Sequence, residues 1–195
     1  MIEKYTEKPS WFYKPIQINN LEEIQKELVP IIYNKIPNSN SSFPKFIKIK
    51  RNEIEPVAPI YTDFIRSLGI LDKWNGSCII STNNNVPFPI HIDTIHWFDN
   101  SYGLNIPIIN CEDTYTVWYD AEMESKPNSL VPTDSISQSR IAKTGTVATE
   151  IARWHMKDPA WINVSIPHRP VSNHGKFRAV ISARFTPELH DLLYI

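Results

Sequence analysis

The chain has 195 residues, 42% hydrophobic and 21% charged, and its 20 Lys+Arg nearly balance 21 Asp+Glu. That length suits a single domain whose core needs no disulfide or metal staple, and a formal net charge of −1 argues against a nucleic-acid partner, which requires a basic excess. The five glycines, at 69, 76, 103, 145 and 175, are too widely spaced to cradle a phosphate, so P-loop and dinucleotide-binding fingerprints are excluded.

Cys78 and Cys111 form neither a C-x-x-C pair nor a disulfide framework, which fits a reducing compartment. The first ten residues carry Glu3, Lys4, Glu7 and Lys8 instead of the apolar stretch of a secretory signal. No apolar run approaches the roughly 18–20 residues of a membrane span. The expectation is a cytoplasmic, intracellular protein with no membrane association. Among apolar residues, 28 Ile and 9 Val stand against 9 Leu and 8 Ala, and stiff β-branched side chains favour pleated sheets.

In chain order, Asn19 to Ile36 reads as a helix. Asn19 or Asn20 can cap it, Glu22 and Glu23 suit its first turn, and Leu21, Ile24, Leu28 and Ile31/Ile32 recur at helical spacing. Pro30 is expected to kink or divide it. Phe43 to Lys50 reads as a strand whose Lys45, Lys48, Lys50 and Arg51 mark a solvated edge. A second helix follows from about Pro59 to Leu68, with Ile60, Phe64 and Leu68 on one face and Gly69 near its C-terminal cap. Residues 1–75 thus form a helical and strand support.

From about residue 77 the texture changes to short strands separated by polar or proline punctuation. They are Ser77–Thr82, Phe88–Asp93, Tyr102–Asn110, Tyr115–Asp120, Val147–His155, Ala160–Ser165, His168–Val171 and Arg178–Phe185. Eight such segments indicate a mainly β sandwich or barrel-like roll spanning 76–190 within one 1–195 domain. Ser125 to Gly145, rich in Ser, Thr, Pro and Asn, reads as a functional loop insertion. Pro187 and Glu188 open a short terminal helix to Leu193.

Two patterns carry chemistry. In His91-Ile92-Asp93, residues i and i+2 of a strand point to one face, so an imidazole and a carboxylate project together. They are two thirds of the facial triad of non-haem Fe(II) oxygenases, although alone such a pair is a common accident. The second pattern is His168 opening a strand and Arg178 starting an alternating strand ten residues later. His168 can close a metal site from the far side of a roll, and a fixed guanidinium at 178 suits bidentate capture of the far end of a dicarboxylate.

Together these residues resemble the Fe(II)/2-oxoglutarate-dependent oxygenases, nearest the aspartyl/asparaginyl β-hydroxylase branch, which includes free-proline hydroxylases. The likeness covers roughly 77–190 and rests on His91-x-Asp93, Leu104-Asn-Ile-Pro-Ile108, His168-x-x-Val171-x-Asn173, Arg178 and Pro187-Glu-Leu189. It implies a double-stranded β-helix, jelly-roll or cupin-like, with N-terminal helices packed on one sheet. It also implies Fe(II) held by His91, Asp93 and His168 as the catalytic set, with Arg178 on the C5 carboxylate of 2-oxoglutarate. The implied reaction consumes O₂, converts 2-oxoglutarate to succinate and hydroxylates an amino-acid side chain, free or in a peptide. Two departures stand out. Membrane-anchored peptide hydroxylases of the branch commonly lack the carboxylate that Asp93 supplies, and the basic residue often found on the strand after the first ligand is missing from Ser101 to Asn105. Asn105 is the candidate to take its place beside the cosubstrate.

Other readings compete. His96 with His91 and Asp93 could ligate zinc. His155, His174 and His190 are expected to be solvated or at edges. Arg184 shares a strand face with Arg178 but lies about 20 Å further along an extended strand, which suits a structural ion pair. Trp97, Trp118 and Tyr119 serve either a substrate pocket or the core. A cupin-type isomerase or hydrolase would use the metal without 2-oxoglutarate, and a non-catalytic β-roll binding module would use neither.

Overall fold

The computed structural model describes residues 11–36, 45–82, 88–93, 102–127, 138–172, 175–186 and 189. A short strand β1 (Tyr13–Pro15) precedes helix α1 (Leu21–Lys35), which buries Ile24, Leu28 and Ile32 along one stripe. Pro30 does not divide α1 as its type would suggest. It lies on the exposed face, where water can satisfy the carbonyl that loses its amide partner, while the buried stripe holds the two halves in one helix. After β2 (Lys45–Lys50) and the single turn α2 (Arg51–Ile54), helix α3 (Pro59–Ser67) buries Tyr61, Thr62, Phe64 and Ile65. Ile60, expected on that face, is exposed instead, because the buried stripe runs through its neighbour Tyr61. Gly69 closes the helix at φ +72°, a backbone that L-residues disfavour.

A 3₁₀ turn (Leu71–Lys73) leads into the strands β3 (Trp74–Thr82), β4 (His91–Ile92), β5 (Tyr102–Ile109), β6 (Thr114–Asp120), β7 (Met123–Pro127), β8 (Gln138–Ala142), β9 (Thr149–His155), β10 (Ala160–Asn163), β11 (His168–Ser172) and β12 (Arg178–Phe185). Together with β1 and β2 they form, among the described residues, two six-stranded antiparallel sheets, in the orders β1-β10-β5-β12-β3-β2 and β7-β8-β4-β11-β6-β9. The path crosses between the sheets at β3–β4, β4–β5, β5–β6, β9–β10, β10–β11 and β11–β12. That alternation, with β3, β12, β5 and β10 facing β4, β11, β6 and β9, makes the chain a double-stranded β-helix. β2 lies at a sheet edge, as its lysines led one to expect.

The 125–145 segment differs from the expected loop. Its ends belong to β7 and β8, which pair with each other, and β8 continues onto β4 with Ile141 opposite His91. The insertion therefore extends the sheet and flanks the short strand that carries His91. The expected C-terminal helix lies outside the described residues except for Leu189, which is buried in the core. No helix among the described residues is long and apolar enough to cross a membrane.

Strand parity decides what faces where. On β12, Ala179, Ile181, Ala183 and Phe185 join the main apolar cluster with Ile24, Leu28, Ile32, Tyr61, Ile65, Ile79, Leu104 and Ile106. That core lies between the outer face of the β3/β12/β5 sheet and the helices. The opposite parity, Arg178, Val180, Ser182 and Arg184, points into the roll, where only smaller apolar clusters around Trp118 and Val180 occur. Because the large core lies outside the roll, its interior can hold polar groups at less cost to folding.

Candidate functional site

β4 and β11 are neighbours, and their register sets His91 directly opposite His168. Their imidazole centroids are 4.6 Å apart. Asp93 follows β4, anchored by its backbone N–H to the carbonyl of Val164 at 3.1 Å. One donor atom from each of His91, Asp93 and His168 lies within 4.8 Å of the others, so two neighbouring side chains and a third remote in the chain converge on one point. The approach to His168 is built by Asn163, whose Oδ1 accepts from the backbone N–H and the hydroxyl of Ser165. The carbonyl of Pro167 accepts from Tyr119 N–H at 2.8 Å.

Both imidazoles are oriented in the same way. His91 Nδ1 lies 2.9 Å from the Pro89 carbonyl and His168 Nδ1 2.9 Å from that of Ile166. A carbonyl accepts only, so each Nδ1 carries a proton, and in the neutral form of each ring Nε2 keeps the lone pair that a metal ligand requires. These backbone partners, two residues upstream in each case, could not be named from the sequence because side-chain chemistry does not reveal a carbonyl's direction.

The electrostatics agree. Burial, with the neighbouring His91, lowers the His168 pKa to about 4, so the ring stays neutral near pH 7. Burial also opposes charging His91, but the hydrogen bond and charge of Asp93 outweigh it and raise its pKa. For Asp93, burial would raise the pKa, yet the Arg184 guanidinium, then His91, hold the carboxyl well below the usual range. Asp93 Oδ1 is 3.2 Å from His91 Nε2 and Oδ2 is 2.7 Å from Arg184 Nη2. One imidazole that is neutral near pH 7, a second whose added proton a divalent cation would displace, and one carboxylate suit Fe(II) or a similar divalent ion, and they leave the rest of the coordination sphere for ligands.

The His91 and Asp93 side chains are 20% and 22% exposed, so the cluster opens to the surface, whereas Arg178 is fully buried. Its Nη1 meets only the sulfur of Met156 at 3.9 Å, the Cys111 thiol is nearby, and Nε and Nη2 find no partner among the described residues. Met156 is tied at 2.8 Å to Thr114, and β11 pairs Ser172 with Thr114 but His168 with Trp118. By register, the Thr114 end of β6, to which Met156 is tied, lies four residues, or about 13 Å along a strand, from the level of His168. An extended five-carbon dicarboxylate with a bond at each end has that order of reach. Asn105 is buried and opposite Ser182 on β12, and the Asn105 Oδ1 and Ser182 Oγ atoms have no partner among the described residues.

Strand periodicity did not reveal the contact that Arg184 makes with the candidate site. Arg184 does form an ion pair, as expected, but with the candidate ligand Asp93. Its even spacing from Arg178 marked the inward face, yet nothing local announced which carboxylate it meets. Trp118 is fully buried, donating from Nε1 to the Asn163 carbonyl at 2.8 Å, and serves the core. Tyr119 is buried beside Arg169. His155 stacks on Tyr115 at the β9 edge. His96, Trp97, Asn173, His174 and His190 lie outside the described residues.

No protein-family model matches the chain, and no curated protein matches it. Among solved structures, the X-ray structure of E. coli ycfD overlaps with a TM-score of 0.37 and 12% identity, over 83% of this chain and 38% of that one. The chain thus spans under half the length of that protein. At this level of overlap, fold and site rest on the strand order and donor geometry described above.

Proposed function

We propose that the protein is an Fe(II)- and 2-oxoglutarate-dependent dioxygenase that hydroxylates an amino-acid side chain, free or within a peptide. The observation that carries the reading is the convergence of His91, Asp93 and His168 above a fully buried guanidinium on the interior face whose Nε and Nη2 have no partner among the described residues. The residues fit the implied groups: two imidazoles whose Nε2 atoms face the carboxylate of Asp93 for the metal, and a buried guanidinium with Nε and Nη2 unpaired among the described residues for a carboxylate. The motif likeness to the aspartyl/asparaginyl β-hydroxylase branch supports the choice of substrate class.

When bound together, iron and 2-oxoglutarate supply oxidative decarboxylation coupled to hydroxylation. The chain's own residues make that possible in separable ways. His91 and His168 donate from Nε2 while Pro89 and Ile166 hold their Nδ1 protons, so neither ring rotates away. Arg178 offers two parallel N–H donors to the distal carboxylate, where burial strengthens a charge-assisted pair. Asn105 and Ser182 line the interior with polar atoms free to contact a ligand. The small apolar cluster of Val180, Cys111 and Met156 helps to exclude water from the floor.

Anaerobic titration of Fe(II), then 2-oxoglutarate, into the protein tests the reading. A weak visible charge-transfer band is expected in wild type and is abolished in His168→Ala, and succinate accumulates slowly on exposure to air. Absence of the band in wild type, or its persistence in His168→Ala, sinks the proposal. A metal-dependent activity untouched by Arg178→Ala would favour a cupin-type isomerase or hydrolase.

A further inference from the structure

The three candidate donors do not themselves explain how Asp93 is aimed. A carboxylate has two equivalent oxygens and a free side-chain torsion, and left to itself it could chelate an ion through both. Here the two oxygens are made different. Oδ1 faces the imidazoles, 3.2 Å from His91 Nε2, and Oδ2 is engaged by Arg184 Nη2 at 2.7 Å.

Arg184 is itself held. Its side chain is 3% exposed and lies on the inward face of β12, opposite Gly76 on β3 and Gly103 on β5. A Cβ at Gly103 would stand 3.3 Å from Arg184 Nη1 and 2.8 Å from Ser182 Oγ. The guanidinium is therefore seated against bare backbone, in space that any other residue at 103 would occupy. A planar fork in a fixed seat orients a carboxylate in a way that a flexible ammonium cannot. Gly103, an inward arginine and the carboxylate thus form one construction.

We infer that Arg184 is a positioning residue for the metal centre: by holding Asp93 Oδ2 it presents Oδ1 alone to the ion, so that the carboxylate serves as a single-oxygen donor and the face opposite the triad stays open for exogenous ligands. The inference rests on the reading of His91, Asp93 and His168 as metal ligands. It assigns Arg184 no contact with cosubstrate, and it separates the two inward arginines by role: Arg178 binds, Arg184 aims.

The test uses Co(II) alone as the probe, with affinity from titration and coordination from its visible d–d absorption, and needs no substrate. Arg184→Met keeps the length of the side chain and removes the fork. Its Co(II) affinity is expected to fall by about 10- to 100-fold, the usual range for lost partners of metal ligands. A changed d–d spectrum should accompany the fall, and Arg184→Lys should recover part of the affinity. The effect must run through Asp93, so introducing Arg184→Met into an Asp93→Ala background should change affinity by less than about twofold. Gly103→Ala, which displaces the guanidinium without removing its charge, should weaken Co(II) in the same direction by a smaller factor and serves if Arg184→Met does not fold. Unchanged affinity and spectrum in folded Arg184→Met or Gly103→Ala, or an equal loss in the Asp93→Ala background, overturns the positioning role. Failure of wild type to bind Co(II) overturns the metal reading itself, a result distinct from either.

Discussion

Replacing Arg178 by methionine removes a charge from the floor of the roll while keeping an unbranched side chain of comparable reach. In the ligand-free protein that charge is fully buried, with a sulfur at 3.9 Å as its nearest hydrogen-bonding contact. Exchanging buried ionic groups for well-packed apolar ones stabilises proteins by about 1–4 kcal/mol, and a poorly paired guanidinium belongs well inside that range. A gain of about 2 kcal/mol raises Tm by roughly 4–8 °C in a chain of this size. Ligand works in the opposite sense. At a 2-oxoglutarate concentration 100 times its Kd, wild type gains about 2.7 kcal/mol, or roughly 5–11 °C, and Arg178→Met should gain nothing. The melting order of the two proteins therefore crosses or closes on adding 2-oxoglutarate with Co(II), which parallel thermal melts would record. A variant that melts below wild type without ligand would show the guanidinium to be structural, and one that keeps the 2-oxoglutarate shift would show that the acid binds elsewhere. Either result refutes the reasoning.

Two further tests address the frame around the site. In the metal-free protein, His168 is neutral down to about pH 4, whereas in the unfolded chain it takes a proton below about 6.5; the unfolded state thus binds more protons between these values. Stability should fall as pH drops from about 6.5 to about 4, by the order of 3 kcal/mol at 1.36 kcal/mol per unit, and urea midpoints for His168→Phe should show a flatter profile over that window; an identical profile would contradict the assignment. Gly76 sits at φ +137°, where a Cβ would stand only 2.4 Å from the Ile49 carbonyl oxygen and 2.9 Å from Arg51 N. Gly76→Ala is expected to cost about 3 kcal/mol through strain and overpacking, and a loss under about 0.5 kcal/mol in urea unfolding would mean that β2 and β3 are not packed as described.

Much of this molecule follows from local rules. The twofold repeat of a strand is a property of consecutive residues, so the shared face of His91 and Asp93, and that of Arg178 and Arg184, can be read without knowing any partner. The α1 stripe at Ile24, Leu28 and Ile32 is legible for the same reason, since backbone geometry alone sets its spacing. The short strands punctuated by proline and polar residues likewise pointed to a β roll. Where local rules misled, a distant element had intervened: β8 turned part of an apparent loop into sheet by pairing with β4, and Tyr61 took the place in the core that Ile60 seemed to claim.

What lay beyond any local pattern was register between strands remote in the chain. His168 meets His91 because β11 lies beside β4 in one particular alignment, and a shift of one residue would send the ring to the other face. Arg184 finds Asp93 only because two sheets close on each other, and the orphaned state of Arg178 follows from what the interior fails to bring near it. Residue types declared which groups were available for chemistry. Long-range pairing, whose energy is shared among many weak contacts across both sheets, chose which of them would meet.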